Sequence, residues 1–162
     1  MGRRDLRNRM INALINRGRS GWYHYKLRTL CRDLPYVAYN TMKGSKYINQ
    51  DYVSYTSKYR AIISATTYFP TQKYLENPAA GCLTFMEITN KNHGEFLGFK
   101  DDETAVFITE KNYQSKLEEF ISDPDNPKWE KIADAGKEYV MKNLTNDTAV
   151  NELVKLMREL IK

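Results

Sequence analysis

Apolar positions recur along this chain with two different periods. Leu6, Met10, Ala13 and Leu14, widened by Ile11 and Ile15, share one face of a helix over Asp5–Arg17, with Gly18 as its stop. Short apolar runs predict strands instead: Pro35–Tyr39, Arg60–Ala65 with Ala61, Ile62 and Ile63, Cys82–Ile88, and Thr104–Thr109 with Val106, Phe107 and Ile108. Trp22–Tyr25 reads as one more short strand. Between them lie a polar loop, Thr41–Gln50 around Gly44, a helix over Gln50–Lys58, a loop Thr66–Gln72 with Pro70, and a helix Lys73–Ala80 stopped by Gly81. Glu95–Phe99 predicts one helical turn, and Lys100-Asp101-Asp102 a tight turn.

The last third is helical. Tyr113, Leu117, Phe120 and Ile121 line a helix that ends near Asp123. Asn126-Pro127 is a cap followed by proline at the first helical position. Trp129, Ile132, Ala133, Gly136, Tyr139 and Val140 form the stripe of the helix that follows. Val150, Leu153, Val154, Met157, Leu160 and Ile161 form another, with a period of about 3.6. Strands alternating with helices predict an α/β fold: a Rossmann-like parallel sheet flanked by helices, with a helical C-terminal tail, in a single domain over 1–162. Three C-terminal helices are expected on or beside the sheet.

Composition narrows the class. With 41% apolar and 28% charged residues, the 162-residue chain is that of a globular protein. No apolar run approaches the ~20 residues that span a bilayer, and the basic start leads into no signal-peptide core, which predicts a cytoplasmic protein. Asn143-Leu144-Thr145 and Asn146-Asp147-Thr148 therefore read as helix-start polar residues, not glycosylation sites. Two cysteines, Cys31 and Cys82, are too few for a disulfide framework; Cys82 reads as a buried free thiol. No His/Cys cluster has metal-ligand spacing, so no metal site is expected.

Charge is unevenly spread. Residues 1–50 carry 11 Lys+Arg against 2 Asp+Glu, a net +9, and the remainder is net −4. Trp22, Tyr23 and Tyr25 are interleaved with Arg17, Arg19, Lys26 and Arg28. A basic nucleic-acid-binding module is thus a second reading, although no helix-turn-helix, zinc-finger or RNA-recognition signature accompanies it. A non-catalytic interaction domain is a third.

One segment carries specific chemistry. Lys73–Ala80 is a short helix with Glu76, followed by Gly81 and the strand from Cys82. The order Glu-x-x-Ala-x-Gly and then a strand resembles the nucleotide-sugar signature of GT-B glycosyltransferases. From about Tyr55 onward the chain resembles the C-terminal domain of spore-maturation (CgeB-like) relatives of the group 1 enzymes. The matching pieces are Tyr59–Ala65, Lys73–Gly81, Asn92–Phe99, Glu103–Ile108, and Trp129–Gly136 followed by Tyr139.

The resemblance implies the donor-binding half of a two-domain enzyme, its partner an N-terminal GT-B domain. The donor substrate would be a nucleoside diphosphate sugar, with no covalently bound cofactor and no metal. It implies that Glu76 accepts hydrogen bonds from the ribose hydroxyls. The loop Thr66–Gln72 would cover the diphosphate, with Thr67, Thr71 and Lys73 as donors and free amides at the start of the next helix. Tyr68 and Tyr74 would line the cleft, and Thr41, Met42 and Lys43 would wall the base. Many group 1 enzymes carry a second acidic residue eight positions before the ribose glutamate; here Tyr68 stands there. Glu95 reads as a helix-dipole partner and His93 as a loop or capping residue. The catalytic residues are not assigned, because they usually belong to the other domain.

Overall fold

The structure, a computed structural model, describes residues 24–39 and 50–160. In chain order they form α1 (Lys26–Arg32), α2 (Gln50–Thr56), β1 (Ala61–Ser64), α3 (Lys73–Ala79), β2 (Leu83–Glu87), a 3-10 turn (Gly94–Leu97) and β3 (Val106–Ile108). Three helices follow: α4 (Tyr113–Ser122), α5 (Pro127–Asn143) and α6 (Asn146–Leu160). The strands make a parallel sheet in the order β1-β2-β3. Ala61 pairs with Leu83, and Phe85 with Val106. The chain is an α/β Rossmann-like half with a helical C-terminal stretch, as its alternating pattern predicts.

Parallel strands are joined by crossovers that cover both sheet faces, so β2 is buried along its whole length. On one face Leu83, Phe85, Val106 and Ile108 pack against Leu27 and Cys31 of α1, Leu117 and Phe120 of α4, and Trp129 and Ile132 of α5. On the other, Met86 packs with Tyr74 of α3, Val140 of α5, Leu97, Phe99 and Ala105. Helix α5 therefore serves both cores. Its start is set by Asn126, whose side chain accepts the Lys128 amide, with Pro127 in the first turn. It passes the amino ends of the strands at Gly136, where an added Cβ would lie 2.4 Å from the Thr104 carbonyl oxygen and 3.7 Å from Pro78. Helix α3 ends at Gly81, whose φ of +82° suits the glycine stop.

Several expected elements differ. Pro35–Tyr39 forms turns and irregular chain, not a strand. Pro35 lacks an amide hydrogen, and the Val37 amide turns back to the Leu34 carbonyl at 3.3 Å. His24 and Tyr25 lead into α1 and form no strand; Trp22 and Tyr23, with the expected helix Asp5–Arg17, lie outside the described residues. Helix α6 forms with the expected period but buries no residue. Its stripe, including Val150, Leu153 and Met157, stays exposed, so the last helix does not pack on the sheet.

Two substitutions should separate these environments in urea unfolding. Gly136→Ala should cost about 1–3 kcal/mol, because backbone must move to admit the methyl group. Leu153→Ser should change stability by no more than about 0.5 kcal/mol, as at other exposed positions.

Candidate functional site

With α5 passing their amino ends, the strands leave their carboxyl ends to loops: 65–72 after β1, 88–93 after β2 and 109–112 after β3. In open parallel sheets this edge is where ligands bind. Here it is held by two buried side chains. Asn92, 1% exposed, donates through Nδ2 to the carbonyls of Thr66 (2.9 Å) and Glu87 (2.6 Å). Its Oδ1 accepts the amides of Thr89 and Gly94, each at 3.0 Å. The Tyr74 hydroxyl donates to the Glu87 carbonyl (3.0 Å) and accepts the Thr66 amide (3.1 Å). Tyr74 is thus a fully buried core residue, not a cleft-lining one, and burial pushes its phenol above its ordinary pKa.

The residues expected to bind a nucleotide sugar fall into two groups. Lys73 and Glu76 lie on the first turn of α3, directly beyond β1, with Lys73 Nζ 2.7 Å from Glu76 Oε2. The same ammonium stands 3.2 Å from the centre of the Tyr52 ring, and Tyr52 Oη donates to Asn77 Oδ1 at 3.0 Å. Asn77 in turn donates to Ser64 Oγ (2.9 Å), fixing α3 and α2 against the end of β1. Tyr52 also lines a cavity of about 330 Å³ along the outer side of β1, together with Arg28, Arg32, Tyr39, Ile62 and Phe120.

The second group faces α1. The Thr67 amide donates to the His24 carbonyl at 2.9 Å. Tyr68 meets the His24 ring edge-on at 5.6 Å, and the Lys91 ammonium stands 4.6 Å from the Tyr68 ring centre. Thr71 is half-buried, and its carbonyl accepts the Tyr74 amide (2.9 Å). Thr41, Met42 and Lys43 lie outside the described residues. At the start of α3 the Leu75 amide donates to the Gln72 carbonyl at 2.9 Å, as the Tyr74 amide does to Thr71. His93 adopts the left-handed conformation before the 3-10 turn, a structural position, and Glu95 lies in that turn.

Sequence reasoning passed over Glu87. It ends β2, is 6% exposed, and its Oε2 has no hydrogen-bond partner among the described residues. Burial and the neighbouring Glu110 raise its pKa from 4.5 to about 7, against the opposing pull of Lys91 and a backbone hydrogen bond at Thr66. Glu110 is itself paired with Lys26 of α1. Cys31 feels the charge of the same carboxyl group; burial first, then Glu87, push its thiol up to about 12. A carboxylate closing an otherwise apolar run at the carboxyl end of a parallel strand was the available signal. Cys82 is a buried free thiol, as expected, bonded through Sγ to the Thr56 carbonyl at 3.1 Å. Among the described residues no group of three His, Cys, Asp or Glu side chains is placed to hold a metal ion, and no helix is long and apolar enough to cross a membrane.

An open parallel sheet flanked by helices, with polar side chains gathered at its carboxyl edge, defines a domain of the Rossmann-like class. The model of the glycosyl transferase-like family matches residues 3–155, and the chain belongs to that family. No curated protein and no solved structure matches it.

The raised pKa of Glu87 has a sign. Between pH 4.5 and about 7 the folded chain holds a proton that the unfolded chain has released, so stability falls as pH rises through that window. This group should remove about 2–3 kcal/mol between pH 4.5 and 8. Urea unfolding of Glu87→Gln at both pH values should show a correspondingly smaller drop than the wild type.

Proposed function

We propose that this chain is the nucleotide-sugar-binding half of a two-domain GT-B glycosyltransferase of the CgeB-like branch, acting in the cytoplasm. The complete enzyme moves a glycosyl group from a nucleoside diphosphate donor to an acceptor nucleophile, and the diphosphate leaves. The observation that carries the reading is the Lys73–Glu76 pair at the start of α3, directly beyond the carboxyl end of β1 and beside an aromatic cavity.

Each part has a chemical fit. Glu76 is accessible, with 39% of its side chain exposed, and a carboxylate offers two oxygens to the two adjacent hydroxyls of a ribose. Lys73 supplies a cation within reach of the phosphates that follow the ribose. Thr71, in the loop before α3, adds a hydroxyl to the phosphate side. Tyr52 and Tyr39 offer flat faces to a base, and Arg28 and Arg32 bring positive charge to the cavity wall. Membership of the glycosyl transferase-like family supports the same class of chemistry.

Calorimetric titration with UDP, GDP and dTDP tests this reading. One diphosphate should bind saturably. Glu76→Ala should weaken it about 10-fold or more while the circular dichroism spectrum is unchanged. Binding of none of the three, or equal affinity in the variant, removes the assignment.

A further inference from the structure

Lys73 is held at both its root and its tip by one closed circuit of contacts. At the root, Ser64 Oγ donates to the Lys73 carbonyl at 3.1 Å. Ser64 Oγ in turn accepts Asn77 Nδ2 at 2.9 Å, and Asn77 Oδ1 accepts the Tyr52 hydroxyl at 3.0 Å. The circuit closes where the Lys73 ammonium stands 3.2 Å from the centre of the Tyr52 ring. Its members come from the end of β1, from α2 and from α3. Asn77 and Ser64 are 1% and 2% exposed, so neither can turn without leaving a buried polar group unpaired. The Tyr52 ring is thus tied to the same strand end as the lysine backbone.

The pair with Glu76 alone would not fix the ammonium. An exposed lysine–carboxylate pair is weak, and the long lysine stem keeps its freedom to turn. A fixed aromatic ring beneath the ammonium removes that freedom. The ring face also attracts a cation without adding negative charge. A second carboxylate in its place would hold the ammonium, but it would repel a phosphate. An ammonium has three N–H donors, and Glu76 Oε2 takes one of them at 2.7 Å. Lys73 therefore keeps its aim and retains the capacity to meet a further anion.

We infer that Tyr52 is a positioning residue that acts through Lys73, an inference that rests on the donor-binding reading above. It holds the ammonium on the phosphate side while the Glu76 carboxylate serves the ribose. The preference of the site for a diphosphate over the bare nucleoside is then set in part by a residue of α2 that need not touch the phosphate itself.

Two measurements test this. The first needs no ligand: in the NMR spectrum of the free chain the ε-methylene protons of Lys73 should be shifted upfield by the Tyr52 ring, and Tyr52→Leu should remove that shift. The second compares UDP, GDP and dTDP with uridine, guanosine and thymidine, titrated into the wild type, Tyr52→Leu, Lys73→Ala and the double variant. Tyr52→Leu should lower the preference for diphosphate over nucleoside about 3–5-fold, and should lower it no further once Lys73 is replaced. A ring that only stacked on a base or only packed α2 would weaken both ligands alike, or act equally with and without Lys73. Tyr52→Phe keeps the ring and loses only the bond to Asn77; its smaller loss should likewise vanish in the Lys73→Ala background, so the result does not depend on the leucine variant folding well. Unshifted Lys73 methylene protons, or equal losses with and without Lys73, overturn the positioning role and leave the donor-binding reading standing. Failure of every diphosphate to bind overturns the donor-binding reading and the positioning role with it.

Discussion

The carboxyl edge of the sheet depends on one double clamp. Neighbouring parallel strands are not tied by a hairpin, so something must hold their far ends together. Here the Thr66 and Glu87 backbones are bridged twice, by the Asn92 amide and by the Tyr74 hydroxyl. A buried amide is costly without partners and stabilising with them. Asn92 uses both its ends, bonding two carbonyls and two amides, so the loop after β2 is fixed together with the strands. Thr67 and Glu87 sit at defined places because this clamp leaves the strand ends no freedom.

The two ends of the sheet have different tasks. At the amino end, Trp129, Ile132 and Val140 of α5 bury apolar surface on both faces, and Gly136 lets that helix approach the backbone before β3. This end is about packing. At the carboxyl end the charged side chains Lys73, Glu76, Lys91 and Glu110 gather around a small buried polar layer. The tyrosines bridge the two kinds of environment. Tyr74 is wholly internal, whereas Tyr52 and Tyr68 each present a ring beneath a lysine ammonium.

Much of this architecture was legible in the residues. The apolar runs around Ile62, Phe85 and Phe107 gave strands, and Gly81 and Asn126-Pro127 marked helix ends correctly, because these signals are local. Pro35–Tyr39 misled because a short apolar run specifies burial more firmly than it specifies extension; its partners are core side chains, not a neighbouring strand. Periodicity foretold the helix of α6 but not its packing, since a stripe says which face is apolar and nothing about what lies opposite. The place of Lys73 and Glu76 on a short helix before a glycine stop was legible. Glu87 was missed because its importance comes from the register of β2 against β1, a relation between distant segments. Tyr74 was misplaced because its hydroxyl serves backbone groups that only the folded sheet brings together.

The strand order has a consequence for how the chain assembles. Each strand lies beside its neighbour in sequence: Ala61 meets Leu83, and Phe85 meets Val106. Pairing therefore joins residues only about twenty apart, and the loop-closure cost of each step is modest. Neither strand pairing requires the polypeptide of the last helices. The first crossover, with the Tyr74 and Asn77 contacts inside it, can close while the C-terminal third is still being synthesised, so the β1–β2 part of the carboxyl edge is set before the helices that seal the opposite end arrive.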